Sequence, residues 1–334
     1  MARSLLRWLR SLGSTGAFGF TSSATAEEVT AGIDASHLTI LITGASSGIG
    51  METARVLAHR GARVIMAVRD IDAGAKVKDL ILSEVPTAEI IVLQLDVSSL
   101  ESVHAFCESF MAMNLPINIL IINAGIMGGP FKLTKDGVEL QFATNYLGHF
   151  LLTKRLLPTI IDTAKNSGIE GRIINVSSSA HFFAGIGGFD LTKFEDENRY
   201  MPYIHYGKTK LAMILHTNEL SRRLKQEGVN VTANSVNPGI VVTRLLRYYN
   251  VLEVIAPFFE GLLSWIIFKS VPQGAATQCF MAIHPKVAGV SGKYFQNCSF
   301  AKRSPLASDA MLSRKFWEST ELLLENLCEK YHSY

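Results

Sequence analysis

The stretch LTILITGASSGIG, residues 38–50, joins a run of aliphatic residues to a glycine-rich turn. The run has the composition of a strand buried on both faces, and the pattern of residues 49–60 is helical. A sharp turn between them needs conformational freedom and close approach, which Gly44 and Gly48 supply, while Gly50 lets helix and strand pack. Such a string alone also fits an ordinary tight turn. Its place between strand and helix favours a dinucleotide site, where free backbone N–H groups bind the pyrophosphate. The residues of this predicted site are Gly44, Ser46, Ser47, Gly48, Ile49 and Gly50.

Strand-like and helical patterns alternate over the rest of the chain. Further strands are predicted at 62–68, 89–97, 117–125, 172–178 and 230–239, and helices at 72–85, 100–113, 137–164 and 203–227. Apolar strands separated by helices imply a parallel sheet covered on both faces, and right-handed crossovers make it doubly wound. We therefore predict an α/β protein with a single-domain, doubly wound Rossmann sheet over residues 36–310. A partly disordered N-terminal arm, 1–35, precedes this domain, and a helical tail, 311–334, follows it.

Composition and charge limit the classes of function. The chain has 334 residues, of which 48% are hydrophobic and 18% charged, so it has enough apolar side chain for a large core. Lys and Arg total 32 against 29 Asp and Glu, and no basic stripe is visible in the folded part, so nucleic acid is not predicted as a partner. Four distant cysteines, Cys107, Cys279, Cys298 and Cys328, show no metal-ligand spacing. We predict reduced thiols and no metal site.

The end of the second predicted strand indicates which nicotinamide cofactor binds. An NAD site usually has an acid there for the ribose 2′-hydroxyl, but this chain has Arg69 first and Asp70 second. A guanidinium suits a 2′-phosphate, so NADPH/NADP+ is predicted, while Asp70 keeps NADH as the less favoured option. The alternative is that Arg69 is only a solvated loop charge.

Two side chains at the start of the helix predicted at 203–227 are candidates for proton transfer. Tyr206 and Lys210 are four residues apart and project from the same helix face. A nearby ammonium lowers the pKa of a phenol and makes it a usable acid or base, although such a pair is often only a helix surface. One of Ser177, Ser178 and Ser179, at the carboxyl end of a strand, can bond a carbonyl oxygen that gains charge. Asn145, in mid-helix, is expected to make a side-chain or water bond.

In combination these residues resemble the short-chain dehydrogenase/reductases. The resemblance rests on Gly44, Gly48, Gly50, Asp96, Asn123-Ala124-Gly125, Asn145, Ser178, Tyr206, Lys210 and Asn237-Pro238-Gly239, in this order. It implies that Tyr206 is the acid/base, that Lys210 lowers its pKa and binds the nicotinamide ribose, and that Ser178, the second of three consecutive serines, orients the substrate carbonyl. Asn145 would hold a water in a proton relay with Lys210. The implied cofactor contacts are Asp96 at the adenine, Asn123 beside the ribose, Pro238, Gly239 and Thr243 around the nicotinamide, with Val97, Ala124 and Gly125 alongside.

Finer features resemble one branch of this family. The long interval from Ser178 to Tyr206 is similar to the retinol-dehydrogenase-like branch, and VPQGAA at 271–276 is similar to plant members, including the short-chain dehydrogenase of the chloroplast inner-envelope translocon. The resemblance implies NADPH-dependent hydride transfer involving a hydrophobic ketone, aldehyde or alcohol. The alternative is an NADPH-binding redox-sensing or scaffold subunit of a chloroplast envelope complex with little turnover. The complete set of Asn145, Ser178, Tyr206 and Lys210 favours the enzyme.

The segment 245–271 is unusually apolar and aromatic. It could be a pair of core helices, but in the family it forms a lid over the substrate. On that reading, a small lipophilic substrate would contact Tyr248, Phe258, Phe259 and Trp265.

The N-terminal segment bears on the localisation of the protein. Residues 1–26 fit either a poorly ordered arm or a transit-like, membrane-surface segment, and they lack the long apolar core of a secretory signal. We predict a cytoplasmic or chloroplast protein, associated with the envelope in the second case, and not a secreted one. Peripheral membrane contact and homo-oligomerisation stay open. The helix predicted at 311–330 is acidic and is expected to be solvated.

Overall fold

The computed structural model describes residues 15–190, 194, 196–241 and 268–332. The strands are β1 (Thr39–Thr43), β2 (Arg63–Val68), β3 (Ile90–Gln94), β4 (Ile119–Ile122), β5 (Gly171–Val176), β6 (Val231–Asn237), β7 (Ile240–Val241), β8 (Phe268–Lys269), β9 (Tyr294–Gln296) and β10 (Ser299–Phe300). The helices are α1 (Ala26–Val29), α2 (Gly48–His59), α3 (Ile71–Glu84), α4 (Leu100–Ala112), α5 (Leu140–Phe142), α6 (Gly148–Ser167), α7 (Pro202–Glu227), α8 (Val271–Ile283) and α9 (Ala310–His332). A π-helical segment, Ala143–Leu147, joins α5 to α6, and 3-10 turns lie at Ser179–Phe183, Glu197–Arg199, Pro285–Val287 and Leu306–Ser308.

Eight of the described strands form one sheet in the order β10-β9-β6-β5-β4-β1-β2-β3. All neighbours in it are parallel except β10, which is antiparallel to β9. The chain builds outward from β1 through β2 and β3, then crosses to β4 and builds outward on the other side. This is the predicted doubly wound Rossmann sheet. Its reversal point brings the carboxyl ends of β1 and β4 side by side, which is where ligands bind in such sheets.

The core lies in two layers, one on each face of the sheet. Alternate residues of β1 belong to different layers, with Leu41 in one and Ile40 and Ile42 in the other, and all five residues of the strand are buried. The layer around Leu41 is covered by α4, α6, α7 and α9, and the opposite layer by α1, α2, α3 and α8. Each fully buried aliphatic side chain contributes about 1.5–3 kcal/mol, so the central strands are the most strongly held part of the fold.

Residues 15–35 of the arm that was predicted to be partly disordered over 1–35 are described by the structure, and part of this segment packs on the domain. Thr25 and Glu28 form a capping box that starts α1, and Ala26 and Val29 are buried. The ring of Phe18 lies 5.3 Å from that of Phe280 in α8. The physical reason is that this short helix and its aromatic neighbours bury apolar surface against α8, which composition alone does not show.

The C-terminal helix α9 also differs from the solvated tail expected from its acidic residues. Phe316, Trp317, Leu324 and Leu327 are buried in the layer that α7 completes. Their spacing places them on one stripe of the helix, while the acidic residues occupy the other side. The helix itself is present where the sequence predicts it, and one of its faces belongs to the core.

Within the described ranges, no helix is both long enough and apolar enough to cross a lipid bilayer. Most of the predicted lid, residues 242–267, lies outside the described residues, as do residues 1–14 of the predicted arm.

Candidate active site

The glycine-rich turn follows β1 and leads into α2. Gly44 and Gly48 have φ angles of +70° and +57°, which glycine adopts without strain. A Cβ atom at Gly50 would collide with the carbonyl oxygen of Gly44 and lie 2.5 Å from Nδ2 of Asn123. Ser47, the N-cap of α2, makes no side-chain cap hydrogen bond. The turn is therefore packed tightly against Asn123 at Gly50. The first N–H groups of α2 remain available to an anion.

One cleft at the carboxyl edge of the sheet collects the residues predicted to bind the cofactor. It is lined by Gly44, Ser46, Ser47, Gly48, Ile49, Gly50, Arg69, Asp96, Val97, Asn123, Ala124, Gly125, Ser178, Tyr206, Lys210, Pro238 and Gly239. Thr243 and the predicted lid contacts Tyr248, Phe258, Phe259 and Trp265 lie outside the described residues.

Arg69 and Asp70 lie at the exposed end of β2, but only Arg69 lines the cleft. The carboxylate of Asp70 is the N-cap of α3 and accepts a hydrogen bond from the backbone N–H of Ala73 at 3.0 Å. Asp70 is thus committed to starting a helix, whereas Arg69 is exposed and lines the cleft. The carboxylate of Asp96 is held by the backbone N–H and hydroxyl of Ser98, at 2.9 and 2.6 Å.

Ser178 and Tyr206 come together because a 3-10 turn rests directly on α7. Ser178 is the N-cap of the turn Ser179–Phe183, and a Cβ atom at Gly207 would lie only 2.6 Å from the carbonyl oxygen of Ala180 in that turn. Glycine at 207 therefore permits the contact, and Ser178 lies close enough to Tyr206 to act on its pKa.

The neighbouring serines have other positions. The hydroxyl of Ser177 is buried and donates to the carbonyl oxygen of Lys210 at 2.8 Å, and Ser179 is exposed. Of the three consecutive serines, Ser178 is the one that acts on the pKa of Tyr206 in the described structure.

Burial dominates the pKa values of the proton-transfer pair. It raises the pKa of Tyr206 to about 12, with the nearby Ser178 hydroxyl acting in the opposite direction. It lowers the pKa of Lys210 to about 8. Lys210 Nζ donates to the carbonyl oxygen of Val176 at 3.0 Å and lies 5.5 Å from the centre of the Tyr206 ring. Lys210 is not among the groups that shift the pKa of Tyr206, so the lowering expected from it is not seen, and desolvation of the phenolate sets the direction of the shift. Tyr206 is a protonated donor at neutral pH.

Asn145 lies in the π-helical segment and binds the loop that follows β4. Its Nδ2 donates to the carbonyl oxygen of Ile126 at 2.9 Å and to the hydroxyl of Thr209 at 3.0 Å, while its Oδ1 accepts from the N–H of Ile126 at 2.8 Å. Thr209 directly precedes Lys210. Asn145 therefore fixes the cleft wall to the helix that carries the tyrosine and lysine, and its predicted water relay with Lys210 stays a prediction.

Thr43 and His149 support the cleft from below. The hydroxyl of Thr43 accepts from the N–H groups of Asn123 and Ala124, at 2.9 and 3.0 Å, and lies 3.2 Å from Nε2 of His149. Since its lone pairs are used, the hydroxyl must donate to Nε2, which leaves the proton on Nδ1, 3.4 Å from the carbonyl oxygen of Asn145. Burial lowers the pKa of His149 to about 3, so the ring is neutral. The sequence analysis gave neither residue a role, because the only feature that marks each one is that it is polar within an apolar run.

A second group that sequence reasoning missed ties the loop after β4 to the start of α7. Gln141 accepts from the N–H of Gly128 at 2.8 Å and donates to the hydroxyl of Tyr200 at 2.7 Å and to the carbonyl oxygen of Pro202 at 3.1 Å. Tyr200 in turn donates to the carbonyl oxygen of Gly129 at 3.2 Å. These bonds fix the loop after β4 to the start of α7.

Within the ranges described, no three His, Cys, Asp or Glu side chains are grouped as metal ligands. Cys107, Cys279 and Cys298 are buried free thiols.

The fold and the cleft together define a class of protein, the Rossmann-type oxidoreductases, because a dinucleotide turn and a proton-donating tyrosine open into the same space. Comparison with known proteins narrows this class. The family described as short chain dehydrogenase matches residues 38–189. The chain belongs to the short-chain dehydrogenase family, whose members are oxidoreductases that use NAD(P).

Individual relatives cover most of the chain. It is 48% identical over 315 residues to short-chain dehydrogenase TIC 32 B, chloroplastic, of Brassica napus, which covers 94% of this chain and 97% of the relative. It is 40% identical over 299 residues to retinol dehydrogenase 14 of Homo sapiens, covering 86% of each. A crystal structure of an uncharacterised protein from Mycobacterium paratuberculosis matches with a TM-score of 0.68 and 31% identity, covering 91% of this chain and 98% of that one.

Proposed function

We propose that this protein is an NADPH-dependent oxidoreductase that transfers hydride between the nicotinamide and a hydrophobic ketone, aldehyde or alcohol. The observation that carries the proposal is that Ser178, Tyr206 and, one helical turn on, Lys210 line the same cleft as the glycine-rich turn. A protein that only bound the cofactor would have no need for a buried, protonated tyrosine at that place.

Three features of the cleft fit a dinucleotide. Only glycine fits at position 50, where a Cβ atom would collide with the carbonyl oxygen of Gly44, and α2 presents an N-terminus whose Ser47 side chain does not cap it. Asn123 Oδ1 is buried without a hydrogen-bond partner in the described structure, while its Nδ2 donates to the carbonyl oxygen of Thr43 at 2.8 Å. An unpaired buried oxygen is costly, and a ribose hydroxyl that donates to it would remove that cost.

The bound nicotinamide supplies the hydride that is added to a carbonyl carbon, or accepts one from an alcohol. In the reducing direction Ser178 donates a hydrogen bond to the carbonyl oxygen and holds it beside Tyr206. Tyr206 then gives its hydroxyl proton to that oxygen as the carbon gains the hydride, so the carbonyl becomes an alcohol and Tyr206 becomes a phenolate. The positive charge of Lys210 stabilises this phenolate, and Asn145 keeps the helix of Lys210 in register with the cleft wall.

The substrate class rests on the relatives and on composition. Retinol is a hydrophobic alcohol, and the chain is 40% identical to a retinol dehydrogenase. The aromatic segment 245–271 agrees with a lipophilic substrate. We further propose a chloroplast location, which the chloroplastic relative supports, over the cytoplasmic alternative.

Replacing Tyr206 by Phe tests the proposal. Oxidation of NADPH would be followed with retinal, farnesal and a steroid ketone as probes, and the wild type is expected to turn over at least one of them. Tyr206→Phe should reduce kcat by about three orders of magnitude or more and leave the Kd for NADPH unchanged, because only the ionisable hydroxyl is lost. Retained turnover in Tyr206→Phe would reject the assignment. NADPH binding without wild-type turnover on any probe would favour the redox-sensing or scaffold alternative.

Replacing Arg69 by Ala tests the cofactor preference. A charge-assisted bond to the 2′-phosphate contributes about 1.5–3 kcal/mol, so the Kd for NADPH should rise roughly ten- to a hundredfold while that for NADH changes little. Asp70→Asn is the matched control, because asparagine also caps a helix and should leave the preference intact. Equal use of NADH and NADPH by the wild type would contradict this interpretation of Arg69.

A further inference from the structure

We propose that His181 is a positioning residue for the catalytic serine, which it joins to the segment 301–308 near the C-terminal end of the chain. The inference rests on the proposed role of Ser178. His181 touches neither the cleft nor a reacting atom, and it acts through the backbone of Ser178.

The backbone of Ser178 makes no hydrogen bond within the sheet that the structure describes, so another contact has to fix its position. The hydrogen-bond ladder between β5 and β6 ends at Ser177, whose N–H donates to the carbonyl oxygen of Val236 at 2.7 Å. Ser178 is the next residue and opens the 3-10 turn. A hydroxyl that must meet both a substrate oxygen and Tyr206 loses its function when displaced by about 1 Å, so its backbone has to be fixed by something other than the strand.

The ring of His181 supplies that anchor with both nitrogens. The ring is fully buried, with Nδ1 2.7 Å from the carbonyl oxygen of Ser178 and Nε2 3.1 Å from the backbone nitrogen of Ser304. A backbone N–H can only donate, so Nε2 must be the acceptor and the proton must lie on Nδ1, where it is donated to Ser178. A single neutral tautomer therefore satisfies both contacts.

The groups that surround this ring agree with a neutral imidazole. Burial lowers the pKa of His181, and the positive charge of Arg303 acts in the same direction. The remaining faces are covered by aromatic rings, with the Tyr294 ring edge-on at 5.1 Å and the Phe182 ring at 4.3 Å between centres. Protonation would place a second N–H against the N–H of Ser304 and break the link.

The segment that His181 reaches is itself attached to the helix of Tyr206. Asn218 of α7 donates to the carbonyl oxygen of Ala307 at 2.9 Å and accepts from Arg303 at 2.6 Å. A continuous series of hydrogen bonds thus connects Ser178, through His181 and the segment 301–308, to α7. Since α7 also carries Tyr206, this series fixes the two reacting side chains relative to each other.

Two substitutions separate the two contacts of the ring. In His181→Asn the amide nitrogen can occupy the place of Nδ1 and keep the bond to Ser178, whereas in His181→Gln the amide oxygen can occupy the place of Nε2 and keep the bond from Ser304. We expect His181→Asn to keep kcat within about threefold of the wild type despite a lower Tm. We expect His181→Gln to lose kcat by about ten- to a hundredfold with a smaller change in Tm, and both to keep the Kd for NADPH. Losses of kcat that follow the losses of Tm in the two variants would overturn the proposal.

Nitrogen-15 NMR of histidine-labelled wild-type protein gives a second readout that needs no substrate. The His181 signals, identified by their absence in either variant, should show protonated Nδ1 and unprotonated Nε2 from pH 5 to 8. The opposite tautomer, or titration near the ordinary histidine pKa, would also overturn the proposal. Failure of the proposed function looks different, since Tyr206→Phe would then retain activity or the wild type would turn over no probe, while these NMR signals stayed as expected.

Discussion

At the scale of single residues, the hydroxyl of Thr43 makes three hydrogen bonds beneath the cleft that no sequence pattern predicts. Thr43 accepts from two backbone N–H groups at the end of β4 and donates to His149, so it links the glycine-rich turn, β4 and α6. Replacing it removes three hydrogen bonds at a fully buried position. Its contribution to stability therefore exceeds that of an ordinary buried threonine.

We expect Thr43→Val to lower the free energy of unfolding by about 2–5 kcal/mol, because two N–H groups and Nε2 of His149 lose their partner at roughly constant volume. Thr43→Ser keeps the hydroxyl and should lose no more than about 1 kcal/mol. Urea denaturation followed by circular dichroism measures both. A valine variant as stable as the serine variant would show that water replaces the hydroxyl.

The residues also show what the sequence could and could not predict. Gly44, Gly48 and Tyr206 are recognisable because their roles depend on backbone freedom or on helical spacing, which are local properties. The pKa of Tyr206 is not local, since burial by distant segments raises it to about 12 while the sequence suggests a lowered value. His149 and His181 were missed for the same reason, because one partner of each ring, Thr43 and Ser304 respectively, is more than a hundred residues away in the chain.

At the scale of elements, the helix that carries Asn145 begins at a buried carboxylate. Both oxygens of Glu139 accept backbone hydrogen bonds, from Gln141 at 2.9 Å and from Phe142 at 2.8 Å, and the side chain is fully buried. The sequence predicts this helix, but the π-helical segment Ala143–Leu147 within it could not be predicted, since it depends on the bonds of Asn145 to the loop after β4.

Glu139 gives this helix start a pH dependence. Burial raises its pKa to about 7 from the model-peptide value of 4.5, so the folded protein binds a proton that the unfolded chain releases between these values. Stability from this residue is therefore present below about pH 4.5 and is lost as the pH rises through about 7. The loss is about 3 kcal/mol, from the size of the shift.

Glu139→Gln removes the titration, so the difference in unfolding free energy between wild type and variant should change by about 2.5 kcal/mol from pH 5 to pH 8, in favour of the variant at the higher pH. Urea denaturation at the two pH values measures it. Glu101→Gln is the control, because Glu101 is exposed and should show no such trend. A pH-independent difference for Glu139→Gln would mean that the carboxyl is already ionised throughout this range.

At the scale of the whole molecule, segments from both ends of the chain close the two layers of the sheet. Phe18 packs on α8 in one layer, and α9 packs on α7 in the other. The doubly wound sheet was predictable because each strand–helix unit carries its own periodicity. The packing of the chain ends could not be predicted. The sequence of an amphipathic helix such as α9 has the same pattern whether its apolar stripe packs against the core or against another surface.

Trp317 is the residue through which α9 completes the molecule. Its ring lies 4.8 Å from Phe150 of α6, stacks on His216 of α7 at 5.1 Å, and is covered by the guanidinium of Arg223 at 4.6 Å. Trp317→Ala should lower the free energy of unfolding by about 3–5 kcal/mol, because it empties a volume shared by three helices and removes the cation–π contact. Leu322→Ala, on the exposed side of the same helix, should change it by less than about 0.5 kcal/mol.

Calorimetry and NADPH titration of both variants separate stability from function. The cleft is formed at the other end of α7, by Tyr206 and Lys210, so Trp317→Ala should keep the wild-type Kd for NADPH while it is folded. A large loss in Leu322→Ala would instead place a partner on the exposed side of α9. Equal stability of the two variants would mean that α9 is dispensable, and that the core of this fold is complete without its C-terminal helix.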